Sequence, residues 1–251
     1  MSLGRHQINA IHRALAPGSE VHPGLRLAHG LSEWPNAAEA HSKHDLIRSV
    51  ARIKTPDFYR QALQRWKNLT GDRQRFCGFE LALHQRLYIG VTRDNPVETG
   101  VTVSHSYGMP IIPGSTVKGL ARASAEYIER QTGEIRRDVI AWLFGEGGDD
   151  GESGGIYYHD AWWCGNSDTP FVPEIVTPHH TEYYQNGRKA ASDMDSPIPA
   201  PQIAVQGSFY FVVEGAPEWT AVAAALLRAG LSQWGVGGKK SSGYGRFRLE
   251  P

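Results

Sequence analysis

Thirteen residues near the end of the chain, Gly235-Val236-Gly237-Gly238-Lys239-Lys240-Ser241-Ser242-Gly243-Tyr244-Gly245-Arg246-Phe247, set five glycines around a Lys-Lys-Ser-Ser core. Glycines let a backbone turn its N–H groups toward a ligand, while two ammonium groups and two hydroxyls supply what phosphate oxygens accept. The chemistry indicated is phosphate binding by Gly237, Gly238, Lys239, Lys240, Ser241 and Ser242. A Walker loop would need Ser or Thr where Lys240 follows Gly238-Lys239, and a dinucleotide fingerprint starting at Gly235 would need glycine at 240. A helical stretch precedes the loop and a strand follows it, the reverse of both nucleotide motifs. No nucleotide cofactor is therefore expected, nor any other cofactor. The plain alternative is a tight helix-to-strand connection with surface lysines.

Pro113-Gly114-Ser115-Thr116 opens a second candidate seat. A helix beginning here presents unpaired N–H groups and a partial positive charge, and Ser115 or Thr116 is placed to cap it. Lys118 and Arg122, four apart, share one helix face, so Gly114, Ser115, Thr116, Lys118 and Arg122 could together hold a phosphate, or the pair could be an ordinary solvated face. His179, His180, Tyr183, Tyr184, Arg188 and Lys189 mix aromatic rings with cations, as single-stranded RNA binders do, although a subunit-interface loop has the same composition. The adjacent histidines lack a third ligand at useful spacing, so no metal site is expected. His41 and His44 read as surface residues, Asp94 as a turn former in Asp-Asn-Pro, and Trp162-Trp163 as core or interface.

These groups must be positioned by a chain of 251 residues, enough for one large domain or a domain with an extension. Its 26 Lys and Arg balance 26 Asp and Glu, so there is no global basic field. Nucleic acid would be met by a local patch, which favours a member of an assembly over a free-standing binder. Two cysteines, Cys77 and Cys164, make neither a zinc motif nor a disulfide scaffold. With no signal-like apolar run at Met1 and no membrane-length apolar stretch, a soluble cytoplasmic protein is expected.

Residues 36–68 carry apolar side chains at three- and four-residue steps, giving a helical N-terminal extension over 1–75. Alternation over 75–91 predicts a strand, with a second extended piece over 99–105. A helix from 113 to about 130 follows, then a short helix over 138–144 and a strand over 156–162. Residues 163–206 form a long insertion rich in proline and polar side chains. Strand 207–214, helix 218–234 and strand 244–249 complete the order βαββαβ. That is an α+β, ferredoxin-like (RRM-like) arrangement, in which helices cover one sheet face and the other is left free for a ligand or partner.

With these elements placed, the sequence resembles the RAMP superfamily of CRISPR proteins, marked by a glycine-rich loop before the last strand. More specifically it is similar to the family of sixth RAMP subunits of type III-B Cmr effector complexes. The matching segments are Glu98-Thr99-Gly100, residues 107–119 with their Pro-Gly-Ser-x-x-Lys-Gly, Leu143-Phe144-Gly145, Tyr158-His159-Asp160-Ala161, Thr177-Pro178-His179-His180 with Tyr183-Tyr184, and Ser196-Pro197-Ile198-Pro199. The resemblance spans roughly 76–249, so the RAMP domain is expected over 76–251. It implies a non-catalytic subunit that holds CRISPR RNA near its 3′ end, meets target RNA, and packs against other Cmr subunits. It also implies that the 163–206 insertion can act as a hairpin separating bases of the guide–target duplex. The competing readings are a RAMP endoribonuclease, using a histidine or Asp94 with a divalent metal, and a scaffold that touches only protein.

Overall fold

The structure is a computed structural model, and it describes residues 10, 21–31, 41–90, 99–147, 151–165, 167–177 and 199–249. Three helices come first: Pro23–His29 (α1), His41–Ala51 (α2) and Asp57–Leu69 (α3). Strand Phe76–Ala82 (β1) and the short Ile111–Ile112 (β2) lead to Gly114–Thr132 (α4) and Arg137–Phe144 (α5). Then come Tyr157–Tyr158 (β3), Ala161–Trp163 (β4), Phe171–Val176 (β5), Ala200–Val205 (β6), Ser208–Glu214 (β7), Pro217–Gln233 (α6) and a 3-10 turn at Lys240–Ser242.

The main sheet is antiparallel, in the order β1-β7-β4-β2, with β3 also on β7. β3 and β4 together follow one edge of β7, from Tyr157 opposite Glu214 to Trp163 opposite Phe209. On the far side of β1, Phe247 bridges Leu83. Here the expected strand over 244–249 reduces to a single bridge. Gly245 turns at φ 72° and gives its N–H to Arg86, so pairing along this edge begins only after it, with Arg248 giving its N–H to Ala82 at 2.8 Å.

Phe209 to Val213 of β7 are all buried, because both faces of this central strand are covered. Phe209, Phe211 and Val213 join Phe79, Leu81 and Phe247 under α4 and α6. These two helices approach closely at Gly230, where an added Cβ would stand 2.5 Å from the Ser124 hydroxyl. The opposite face, expected to be free, is occupied by α3. Tyr59, Ala62, Leu63 and Trp66 recur at helical spacing, so α3 presents one apolar stripe. Leu63 and Trp66 pack on Phe76, Tyr210 and Val212, while Tyr59 stacks against Trp162 and donates to the Trp163 carbonyl at 2.7 Å.

The helix-compatible stretch foreseen over 36–68 carries two helices among its described residues, parted at residues 52–56, where Pro56 caps α3 and cannot continue α2. The foreseen extended piece over 99–105 carries only a bridge between Val103 and Pro110. Within 163–206 the described residues include a two-stranded sheet, β5 paired with β6 from Phe171 opposite Val205 to Val176 opposite Ala200. Phe171, Ile203, Ala204 and Val205 are buried, and Val205 bridges Leu87, so this hairpin is anchored to the core through the chain beyond β1. Trp163 is buried and Trp162 half-buried, as paired aromatics at a core boundary are.

Candidate nucleic-acid interface

The glycine loop leaves α6 and folds back on the segment that follows β1. Gly238 donates to the Tyr88 carbonyl at 2.8 Å, Gly245 to the Arg86 carbonyl at 2.8 Å, and Val236 to the Gly245 carbonyl at 2.9 Å. Gly237, at φ 81°, lies so close to this segment that a Cβ would stand 2.0 Å from the Tyr88 oxygen. Glycine is required there by packing as well as by conformation. Lys239 turns the chain outward in the left-handed region at φ 56°, the one non-glycine residue among those described to do so. The 3-10 turn follows, closed by Ser242 and Gly243 donating to the carbonyls of Lys239 and Lys240 at 3.0 Å. These bonds leave the N–H groups of Lys239, Lys240 and Ser241 without a backbone partner among the described residues. Lys239, Lys240, Ser241 and Ser242 are all exposed. An exposed tip of amides, ammonium groups and hydroxyls results, and such a tip can take a chain of phosphates.

Beneath the tip lies a group of residues that sequence reasoning missed. The Lys239 ammonium sits 5.7 Å from the centre of the Tyr88 ring, and Tyr88 packs against Tyr244 at 4.8 Å. Arg86 forms an ion pair with Glu174 of β5. Burial, reinforced by the nearby Glu174 charge, pushes both phenols above their ordinary value, so they remain neutral donors. The loop is thereby tied to the β5–β6 hairpin. No local signal announces this, because Arg86 and Glu174 stand 88 positions apart.

The second expected seat is built differently from the sequence reading. Pro113 is the N-cap of α4 and no side chain on the helix caps it, so the capping expected of Ser115 or Thr116 does not occur. Instead the Asp160 carboxylate accepts the Gly114 N–H at 2.7 Å from across the β3–β4 junction. Gly114 is itself buried against Tyr158, whose carbonyl would be 2.3 Å from a Cβ there. Ser115 is exposed, and Thr116 and Lys118 are half-buried. The Arg122 guanidinium is held by Glu126 at 2.9 Å and the Gly145 carbonyl at 3.4 Å. The two seats stand at opposite edges of the sheet, the loop beside β1 and the start of α4 beside β2.

Asp94, His179, His180, Tyr183, Tyr184, Arg188 and Lys189 lie outside the described residues. Among the described residues no group of three His, Cys, Asp or Glu side chains could hold a metal ion, and no helix is long and apolar enough to cross a membrane.

Known proteins resemble this chain in sequence and in fold. The model of the RAMP superfamily matches residues 80–248, from within β1 through the glycine loop to the residues beside Phe247. The CRISPR system Cmr subunit Cmr6 of Pyrococcus furiosus is 24% identical across 89% of this chain and 83% of its own length. The CRISPR system CMR subunit Cmr6 of Saccharolobus solfataricus is 26% identical across 68% of this chain, which spans 57% of that relative. A chain in a cryo-EM structure of the Type III-B Cmr-beta bound to cognate target RNA shares the fold, with a TM-score of 0.65 and 22% identity over 97% of this chain and 87% of that one. The family model covers well over half of the sequence and includes both the sheet and the loop, so the chain belongs to the RAMP superfamily.

Proposed function

We propose that this chain is a non-catalytic subunit of a type III-B CRISPR (Cmr) effector complex, holding the CRISPR RNA backbone near its 3′ end and packing against neighbouring RAMP subunits. The observation that carries the reading is the glycine loop. Its backbone bonds turn inward to residues 86–88 and 236, while Lys239, Lys240, Ser241 and Ser242 project outward together. The similarity to Cmr6 proteins supplies the assembly. The sheet order and the flanking α4 and α6 support a ferredoxin-like core as the frame for this contact.

Ser115, Thr116 and Lys118 make a second and weaker backbone contact in this reading. It is weaker because Asp160 already offsets the partial positive charge at the start of α4. Gly114 and Arg122 shape that contact through the bonds they make. In this reading His179, His180, Tyr183 and Tyr184, which follow β5 in the sequence, contact guide or target RNA. Cutting of target RNA belongs to another subunit.

The test is the paired substitution Lys239→Ala with Lys240→Ala in the assembled complex, with guide-RNA retention measured against salt. Each phosphate neutralised on a single strand contributes about 0.7 to the slope of log affinity on log salt, so loss of both ammonium groups lowers the slope by about 1.4. The fold, followed by circular dichroism, is expected to stay intact. An unchanged slope removes the loop from the RNA path.

A further inference from the structure

A cleft of about 350 Å³ opens beside the start of α4, lined by Trp66, Tyr158, His159, Asp160 and Trp162. The indoles of Trp66 and Trp162 lie nearly parallel, 6.2 Å apart and 21° inclined, and the His159 ring stands edge-on to Trp66 at 5.2 Å. The Trp66 indole N–H and the Tyr158 hydroxyl are buried without a hydrogen-bond partner among the described residues. The Asp160 carboxylate is exposed at the same place, and no cationic side chain among those described pairs with it. Arg75 is bound to Glu214, which also holds the His159 ring at 2.8 Å.

Indole ring faces beside a carboxylate that forms no ion pair among the described residues, with the Tyr158 hydroxyl free to accept, form a receptor for a cation, while the Trp66 N–H, a donor only, is left for a carbonyl of the same incoming segment. Attraction of a guanidinium or ammonium to such faces strengthens as it is desolvated, and the carboxylate adds a charged acceptor. Inside the cleft a phosphate is disfavoured. Asp160 repels it and has itself taken the anion position at the helix N-terminus, 2.7 Å from the Gly114 N–H. The half-buried walls suit one long side chain entering from a neighbouring polypeptide.

We infer that this cleft receives an arginine or lysine side chain of an adjoining protein subunit. The inference rests on the proposal that the chain works as a subunit, and it assigns this cleft alone to protein, leaving the RNA backbone to the glycine loop and to Ser115, Thr116 and Lys118, which do not line the cleft.

Asp160→Asn tests it in a complex reconstituted from purified subunits and guide RNA. Asparagine keeps an oxygen for the Gly114 N–H, so the helix stays capped and the melting temperature of the isolated chain is expected to hold. Incorporation of the variant should weaken about tenfold at low salt, and the deficit should shrink as salt screens the charge pair. Trp66→Phe preserves an apolar ring but weakens the cation contact, and should lower incorporation with no change in guide-RNA slope. Should Asp160→Asn upset the fold, the Trp66→Phe result decides. If the wild-type chain joins the complex and both variants join it equally well, the inference is overturned while the subunit reading stands. Failure of the wild-type chain to join overturns that reading instead. Photocrosslinking of 4-thiouridine in the guide or target to Trp66 or Trp162 would also overturn the inference, by showing a base in the cleft.

Discussion

The Gly238 N–H and the Tyr88 carbonyl are joined at 2.8 Å, and this bond fastens a surface loop to a residue that is 1% exposed. Neighbouring bonds reinforce it, from Gly245 to Arg86 and from Val236 to Gly245. The base of the loop is therefore tied to the core, and its tip, residues 239–242, is presented to solvent. Anchored presentation matters for a backbone contact, because ordering flexible lysines on binding costs about 0.5–1.5 kcal/mol per side chain.

The glycines of the loop differ in what they do, and substitution separates them. Gly237→Ala places a Cβ 2.0 Å from the Tyr88 oxygen at a φ of 81°. The conformation alone costs about 1–2 kcal/mol, and relief of the clash must move the loop off the core. Gly238→Ala meets nothing nearer than 3.7 Å at an ordinary φ. It should change stability by no more than about 0.5 kcal/mol. Urea unfolding of the two variants checks the contrast, with a clear fall in midpoint expected only for Gly237→Ala.

The α3 helix should be indispensable to the solubility of the domain. It covers Phe76, Tyr210 and Val212 with Leu63 and Trp66, and it is pinned by the Thr70 and Tyr210 hydroxyls at 2.7 Å. A chain starting after residue 70 exposes this apolar face together with the Trp162 ring, and is expected to aggregate. Tyr210→Phe is the finer probe. It removes one buried hydroxyl pair, leaves Thr70 bonded to the Trp66 carbonyl at 2.8 Å, and should cost about 1 kcal/mol. A soluble, cooperatively folding truncated chain, seen by size exclusion and thermal melts, would show that α3 is not a structural cover.

How far the sequence foretold this molecule depended on whether the signal was local. The glycine loop, β7 and the helices α4 and α6 carry motif, alternation or helical periodicity within their own residues, and all were legible. The run Phe58, Ala62, Leu63 and Trp66 announced an amphipathic helix, but Tyr59 is the ring that is buried while Phe58 is exposed, and nothing in the run names the sheet face it covers. Asp160 lies 46 positions from the Gly114 amide it caps, and Glu174 lies 88 from Arg86. Such pairs arise when distant segments meet in the fold, so the cap was assigned to Ser115 or Thr116, the nearest side chains able to supply it. The aromatic cleft stayed hidden for the same reason, since Trp66 reaches His159 and Trp162 only after α3 docks on the sheet.

Glu214, at the end of β7, sets an acid-side dependence of stability. Burial acts to raise the pKa of this carboxyl, but hydrogen bonds from Arg75 and His159 outweigh it and hold the group below the ordinary carboxylate value. A carboxyl with a depressed folded pKa binds its proton more readily in the unfolded chain. Its contribution is therefore present in full above the unfolded value, about 4.3 for glutamate, and is lost as pH falls through the lower folded value. Glu214→Gln deletes that contribution and leaves the Arg75 guanidinium, 64% exposed, free to water. The urea midpoints of wild type and Glu214→Gln should differ most above about pH 4.3 and converge as pH drops below it. A difference that widens toward low pH would mean that the Arg75 and His159 bonds do not stabilise the charged form.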